Sequence, residues 1–424
     1  MNTSTVDWTI AAHLEYDDRN EVVIVEHKGG KSTVTRLEKR AATGKDINSV
    51  PAFWGINERN EAQVYDPVSK EIERQDVVAA DTRFAYAYRD PDSVRVWFMN
   101  DGDKDGNDTL ACGDTASSVT IAAKTNGKAE LVDTLCVGRG HHVTTFVGPT
   151  QTQGNIPYRA FVSNLKDGTL HVIGNDPNDA VSFLKTIATI NLCDPRFEDN
   201  GAADVPNNAF PHGMEFSPAT GKLYNLNNGY HTVAVIDPLS HEVENTIPME
   251  VSSNLLLSRC GNFLIGKGAD RKADAEHVMG RLSVLDARQE QISTVLDIQD
   301  VYPSVYRFNP KGDKLYVTAA ATGKGAQFDN LRTDMVQVYD SSKLPELTLI
   351  KEIKLEPCTS GRRPIAFLER GEQAPIVFIP NPTQGSLAVI DGDSDAVSET
   401  IDIGAGEIKE FSFSFWNDRS IYGA

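Results

Sequence analysis

Long apolar runs are missing from this sequence. Nowhere do about 18 apolar residues follow one another, which excludes a membrane-spanning helix. A basic excess is missing as well: 60 acidic side chains face 41 basic ones in 424 residues, a net charge of -19. Nucleic acid and an anionic membrane surface are therefore excluded as main partners. Cysteine is scarce. The five thiols, Cys112, Cys136, Cys193, Cys260 and Cys358, show no CxxC or other paired spacing. An odd count suits a reducing compartment better than a disulfide framework. The first eight residues, Met1 to Trp8, have neither the charged region nor the apolar stretch of a secretory leader. As it stands the sequence reads as a soluble, cytoplasmic protein, and as periplasmic or secreted if a leader has been removed. Also absent are GxSxG, a P-loop, a GxGxxG opening a helix, HExxH and CxxCH. That removes the serine-hydrolase elbow, nucleotide cradles, zinc proteases and covalent c-type haem.

What is present is a repeat. Val233-Ala-Val-Ile-Asp237, Leu282-Ser-Val-Leu-Asp286, Val336-Gln-Val-Tyr-Asp340 and Leu387-Ala-Val-Ile-Asp391 close on aspartates 49, 54 and 51 positions apart. Each segment alternates apolar side chains and stops at a turn-forming Asp, the pattern of a strand. A further strand follows each, and two precede it, as in Met214-Glu-Phe-Ser and Lys222-Leu-Tyr-Asn. Four strands in each stretch of about 50 residues predict β-propeller blades. The run His212-Gly-Met-Glu-Phe-Ser-Pro-Ala-Thr-Gly-Lys-Leu-Tyr224, followed by His231-Thr-Val-Ala-Val-Ile-Asp237, resembles the YVTN-type propeller repeat. The resemblance is good over residues 205–405 and weaker over 82–200, where Val119-Thr-Ile-Ala and Leu170-His-Val-Ile stand as divergent third strands. It implies a fold and no particular reaction.

The fold class expected is all-β, with residues 1–424 forming one propeller domain of four-stranded blades. Seven blades are favoured and eight are the alternative. Phe411-Ser-Phe-Ser-Phe415 and Ser420-Ile-Tyr-Gly are expected to join Glu21–Glu26 and Ser32–Arg36 in one blade, closing the ring with both chain ends.

Aligned by their apolar pattern, the blade starts put His142, His212, Ser253, Ser304, Arg363 and Lys409 in a ring at one channel mouth, with Thr82 as a further member. His141 and Arg362 adjoin that ring, and His231 and His277 lie in second-to-third-strand loops on the same face. His141, His142, His212, His231 and His277 are thus candidate ligands for copper, zinc or iron, with Asp274 and Glu276 as supporting carboxylates. A histidine at a strand start also serves to tie neighbouring blades together. The arrangement resembles copper and haem propeller enzymes of the denitrification type. It departs from them by offering serine, arginine and lysine where a multinuclear cluster needs imidazoles. Arg363 and Lys409 are the candidate catalytic residues, orienting a small anion. Their alternative role is pairing with nearby carboxylates across blades.

Asp101-Gly-Asp-Lys-Asp-Gly-Asn-Asp-Thr109 resembles the start of an EF-hand or dockerin calcium loop, with Asp101, Asp103 and Asp105 as side-chain ligands. Cys112 stands where the bidentate Glu is expected, and a strand rather than a helix follows. The loop therefore reads equally as an acidic surface turn. Residues 323–332 are a candidate lid over the mouth.

The function expected is a metal-assisted enzyme, an oxidoreductase before a hydrolase, acting on a small anionic molecule. The alternatives are a non-catalytic propeller that binds a ligand, a metal or a partner protein, and a metal-independent hydrolase resembling lactonases.

Overall fold

The computed structural model describes residues 6–16, 20–37, 53–56, 61–66, 71–76, 82–91, 95–100, 117–125, 128–152, 156–197, 207–270, 276–319, 328–404, 408, 410–413, 415–416 and 421–422. Among these, strand is nearly universal. The one helix is the single turn Pro149–Thr152, and no helix is long and apolar enough to cross a membrane. Seven antiparallel sheets have four strands each, and an eighth has five. The fold class is the expected propeller, and the sheets around its axis number eight.

Blade 1 joins Glu410–Phe413 to Trp8–Glu15, Asn20–Lys28 and Lys31–Leu37. Blade 2 joins Phe415–Trp416 to Phe53–Ile56, Glu61–Asp66 and Glu71–Asp76. Blade 3 comprises Thr82–Arg89, Arg95–Asn100, Ser117–Thr125 and Lys128–Val137, and blade 4 His141–Val147, Arg159–Asn164, Thr169–Gly174 and Thr186–Asn191. Blade 5 comprises Pro211–Ser217, Lys222–Asn227, Thr232–Ile236 and Val243–Pro248, and blade 6 Asn254–Leu257, Phe263–Asp270, Met279–Asp286 and Gln291–Gln299. Blade 7 comprises Pro303–Phe308, Lys314–Ala319, Met335–Asp340 and Thr348–Lys354. Blade 8 comprises Ala366–Arg370, Gln373–Asn381, Ser386–Asp391 and Ala396–Asp402, with Ile421–Tyr422 as a fifth strand.

The repeated aspartates act as the sequence predicts. Asp237 accepts the main-chain N–H groups of Leu239 and Ser240 at 2.7 and 2.9 Å, and Asp286 those of Arg288 and Gln289 at 2.9 and 3.0 Å. Asp391 does the same for Asp393 and Ser394. A carboxylate satisfying the turn's own donors lets the chain reverse tightly between third and fourth strands. The fifth residue of the turn, His241, Glu290 or Asp395, then takes a positive φ of 65°, 52° or 52°.

Burial explains the composition of each strand. Third strands are covered on both faces by neighbouring blades, so Thr232–Ile236 is buried at every position. Fourth strands lie at the rim, and Gln291–Gln299 alternates exposed and half-buried residues throughout. The core is correspondingly a series of interfaces between blades. Met214 and Phe216 of blade 5 pack with Phe161 and Val172 of blade 4, and Tyr306 and Phe308 of blade 7 with Leu282 and Val284 of blade 6.

Closure departs from expectation in detail. Glu410–Phe413 pairs with Trp8–Glu15, with Phe413 opposite Ala12 and Phe411 opposite Leu14, so both chain ends do meet in one blade. The expected run to Phe415 is divided, however, and Phe415–Trp416 pairs with Phe53–Ile56 in the next blade. Ile421–Tyr422 pairs with Ala366–Arg370 instead. Each short segment covers a strand edge whose N–H and C=O groups would otherwise lack partners. The cysteines also differ from the reading by spacing. Cys193, Cys260 and Cys358 are not in disulfides, but Cys136 is disulfide-bonded.

Phe413→Ala should lower stability by about 3 kcal/mol, the typical cost of emptying a buried aromatic site. Leu349→Ala on the exposed rim should change it by no more than about 0.5 kcal/mol. Urea unfolding followed by tryptophan fluorescence measures both; equal effects would mean that closure contributes little.

Candidate functional site

The first strands of blades 5 and 7 carry buried side chains interleaved with partly accessible ones. Met214, Phe216, Tyr306 and Phe308 are buried in the interfaces, whereas His212, Glu215 and Arg307 between them keep some accessible surface. Lys267 reaches the same region from the second strand of blade 6, where it pairs with Asn254 on the first. Its flanking residues must be glycine. A Cβ on Gly266 would lie 2.6 Å from both Met249 Sδ and Ser252 Oγ, and one on Gly268 2.0 Å from the Val251 carbonyl oxygen. The segment joining blades 5 and 6 thus presses directly on this strand. Ser253 completes the clamp, donating its N–H and hydroxyl to the Lys267 carbonyl at 2.7 and 3.1 Å. The Lys267 ammonium lies 5.8 Å from the centre of the Tyr306 ring, a cation–π contact.

These groups share one electrostatic environment. Burial, then the charges of Arg362 and Arg307, push the Lys267 ammonium down to about 8. Burial, then Lys267 and Arg362, push His212 down to about 4, against a hydrogen bond with the Ser253 main chain. His212 is accordingly neutral at pH 7. Burial pushes the Glu215 carboxyl up to about 7, opposed by the Leu257 N–H and by Arg307. Lys267 and Glu215 keep some accessible surface, yet burial is the largest cause of both shifts. Among the described residues no carboxylate lies within ion-pair distance of Lys267 or Arg307. Glu215 and Arg307 also line a cavity of about 330 Å³ with Leu256, Leu257, Arg259 and Cys260, toward the far end of the inner strands. That size suits a small organic molecule.

The expected ring is only partly realised. His212, His231 and His277 do lie on one face, at a strand start and in two second-to-third-strand connections, but they do not meet. His231 is exposed with φ of 54°. The His277 Nδ1 is bonded to the Asp300 carboxylate at 2.9 Å and to Gln299 at 3.2 Å, stitching the exit of blade 6. Among the described residues no three His, Cys, Asp or Glu side chains form a metal-type group. His141 and His142 begin the first strand of blade 4, and their side chains are outside the described set. The chemistry around His212 is also that of an anion site, since its charged neighbours, Lys267 and Arg362, are cations.

Arg363 requires correction. It is 1 % exposed, with one guanidinium nitrogen donating to the Glu356 carbonyl oxygen and its own carbonyl accepting from Thr318 Oγ1 at 2.9 Å. It braces the entry into blade 8, and the neighbouring Arg362 presents the exposed cation at the mouth. Lys409 and the Asp101, Asp103 and Asp105 loop lie outside the described residues, as does Asp274. Of the candidate lid, Phe328–Arg332 is described; Asn330 donates to the Glu276 carbonyl and Arg332 pairs with Glu352 at 2.7 Å.

Lys267, Arg307 and Glu215 escaped the strand-start alignment because they sit inside strands. Their signal was nonetheless present, as single charges within the apolar runs Leu264-Ile-Gly-Lys-Gly268, Val305-Tyr-Arg-Phe308 and Met214-Glu-Phe216. A charge at such a position is costly unless it faces a channel or a ligand.

Lys267→Met should therefore raise stability by roughly 1–3 kcal/mol, since each unit of a depressed pKa corresponds to about 1.4 kcal/mol. The sign follows from linkage: folding disfavours the charged amine, so the gain is full below pH 8 and fades as pH rises toward 10.5. Thermal unfolding at pH 7 and pH 10 tests it, and a destabilised variant at pH 7 would contradict the electrostatics. Gly268→Ala should instead cost a few kcal/mol, because the Val251 carbonyl occupies the space of the added methyl.

No family model and no curated protein matches the chain. Solved structures do resemble it. The periplasmic gluconolactonase PpgL of Pseudomonas aeruginosa superposes with a TM-score of 0.54 at 16% identity, over 86% of this chain and 98% of that one. Dihydro-heme d1 dehydrogenase NirN, in complex with DHE, gives 0.54 at 14% identity, over 88% and 67%. Kuenenia stuttgartiensis hydrazine synthase gives 0.50 at 14%, over 74% and 79%. At these identities the likeness establishes the propeller fold and leaves the chemistry to the residues of this chain.

Proposed function

We propose that this propeller is an enzyme that binds a small anionic molecule in its central channel and acts on it by proton transfer. One observation carries the reading: burial first, and then the charges of Arg362 and Arg307, depress the Lys267 ammonium, in a chain of net charge -19. Cations gathered at a channel against the charge of the whole molecule repel one another, and a bound anion relieves that repulsion. Guanidinium groups grip a carboxylate or phosphate in a fork, and the ammonium adds a point charge.

Two groups titrating near neutrality, Glu215 at about 7 and Lys267 at about 8, supply the acid–base part. A proton donor and acceptor are most effective when their pKa values lie near the working pH. Neutral His212 is a further proton acceptor at the mouth end. The gluconolactonase and the dehydrogenase among the structural neighbours are enzymes on this scaffold, which supports a catalytic reading without specifying the reaction. Among the described residues His212, His231 and His277 form no ligand set for the metal-assisted oxidation expected from the histidines; the cations acting on Lys267 support acid–base chemistry on an anion.

Sulfate, an unreactive probe, should bind with a dissociation constant between micromolar and millimolar by calorimetry. Affinity should be highest near pH 6 and fall through pH 9. Glu215 becomes anionic above about 7, and Lys267 loses its charge above about 8. His212, pushed down to about 4, and Tyr306, pushed well above its ordinary value by burial, do not titrate across that range; Arg307 and Arg362 are the other charged groups that act on Lys267. Arg307→Met should weaken binding at least tenfold. Binding that ignores both pH and this substitution would sink the proposal.

A further inference from the structure

Lys267 is placed as a nucleophile as well as a charge. We propose that it captures the carbonyl group of a small 2-oxo acid as an imine, an inference that rests on the anion-binding reading above. Two other partly buried lysines are held by carboxylates: Lys222 by Asp237 and Glu244, and Lys314 by Asp395 at 2.5 Å. Among the described residues Lys267 has neither a carboxylate nor a hydrogen bond on its amine, only the Tyr306 ring. Its main chain is fixed by the Ser253 clamp and by the close approach of Val251 and Ser252 to its two glycines. The amine is thus held on a rigid strand with only an aromatic ring beside its end.

The cations beside it define the substrate. Arg307 and Arg362 act on Lys267 from blade 7 and from the entry to blade 8. A carboxylate held by those guanidinium groups would present a carbonyl one bond away to the amine. A lysine that is desolvated and flanked by cations is the known way to obtain a nucleophilic amine at neutral pH. With the amine near 8, roughly a tenth of it is free base at pH 7, against well under a thousandth for an ordinary lysine. In the reaction the nitrogen lone pair attacks the carbonyl carbon, and the C=O π pair moves to oxygen. The two protons of the amine leave with that oxygen as water, and a C=N bond remains. No oxidant or reductant is consumed.

The test uses the full chain with glyoxylate and sodium cyanoborohydride at pH 7.5, which reduces any imine to a stable carboxymethyl-lysine that peptide mass spectrometry locates. Lys267 should be modified at least tenfold faster than the exposed Lys351, sulfate should slow that modification and no other, and Lys267→Arg should lose it. The mapping on unmodified protein carries the test even if the variant folds poorly. Modification of Lys267 no faster than Lys351 overturns the inference. If sulfate still binds by calorimetry in that case, only the imine falls; if it does not, the anion site falls too. Rapid trapping at Lys267 that sulfate fails to slow would keep the nucleophile and overturn the 2-oxo acid as its substrate.

Discussion

The pairing of Glu410–Phe413 with Trp8–Glu15 holds the ring shut, and the rest of the structure depends on it. A propeller has no core apart from the interfaces between its blades, so each sheet is stable only while both neighbours cover its faces. Opening the ring would strip cover from blades 1 and 8 together. There Trp8, Leu14 and Phe411 pack against Phe378 and Leu387 in one cluster, and the Trp8 ring meets Phe378 edge-on at 4.8 Å. Closure also fixes the width of the channel, since the first strands can lie at only one radius when the circle is complete. The convergence of charges from blades 5 to 8 is thus a consequence of closure at the opposite side of the chain.

That convergence sets one stability term against another. Buried interfaces supply the favourable part of folding, whereas Lys267 and Glu215 are held where their charged forms are disfavoured by burial. The arrangement persists because the scaffold over-determines it. Gly266 and Gly268 leave the strand no freedom to turn Lys267 away, and the core positions on either side of Glu215 and Arg307 are fixed by Phe216, Tyr306 and Phe308. The cost takes the form of an ammonium and a carboxyl whose charged forms are poorly solvated.

Two side chains expected at the mouth take other surroundings. His277 ties a blade exit through Asp300, and Arg363 is buried beneath the mouth it was expected to line. In both cases the side chain lies at the predicted end of the predicted element. What differed was the direction it takes, and a strand-start alignment cannot supply that, because successive side chains point to opposite faces and a register shift such as that between Pro211 and Gly213 re-aims them.

The sequence by itself determined the propeller: four strands in each stretch of about 50 residues, the aspartates that turn third strands into fourth, and the meeting of the chain ends. These are legible because they follow from local rules, namely the two-residue period of a strand and the hydrogen-bonding of a short acidic side chain to its own turn. Only the tertiary structure decided that Arg307, Arg362 and His212 come within electrostatic reach of Lys267, and Glu215 within that of Arg307, while His212, His231 and His277 form no metal-type group. Those residues are tens of positions from one another along the chain, and their approach depends on the radius and angular step of a closed ring, a property of all the blades together that no single repeat encodes.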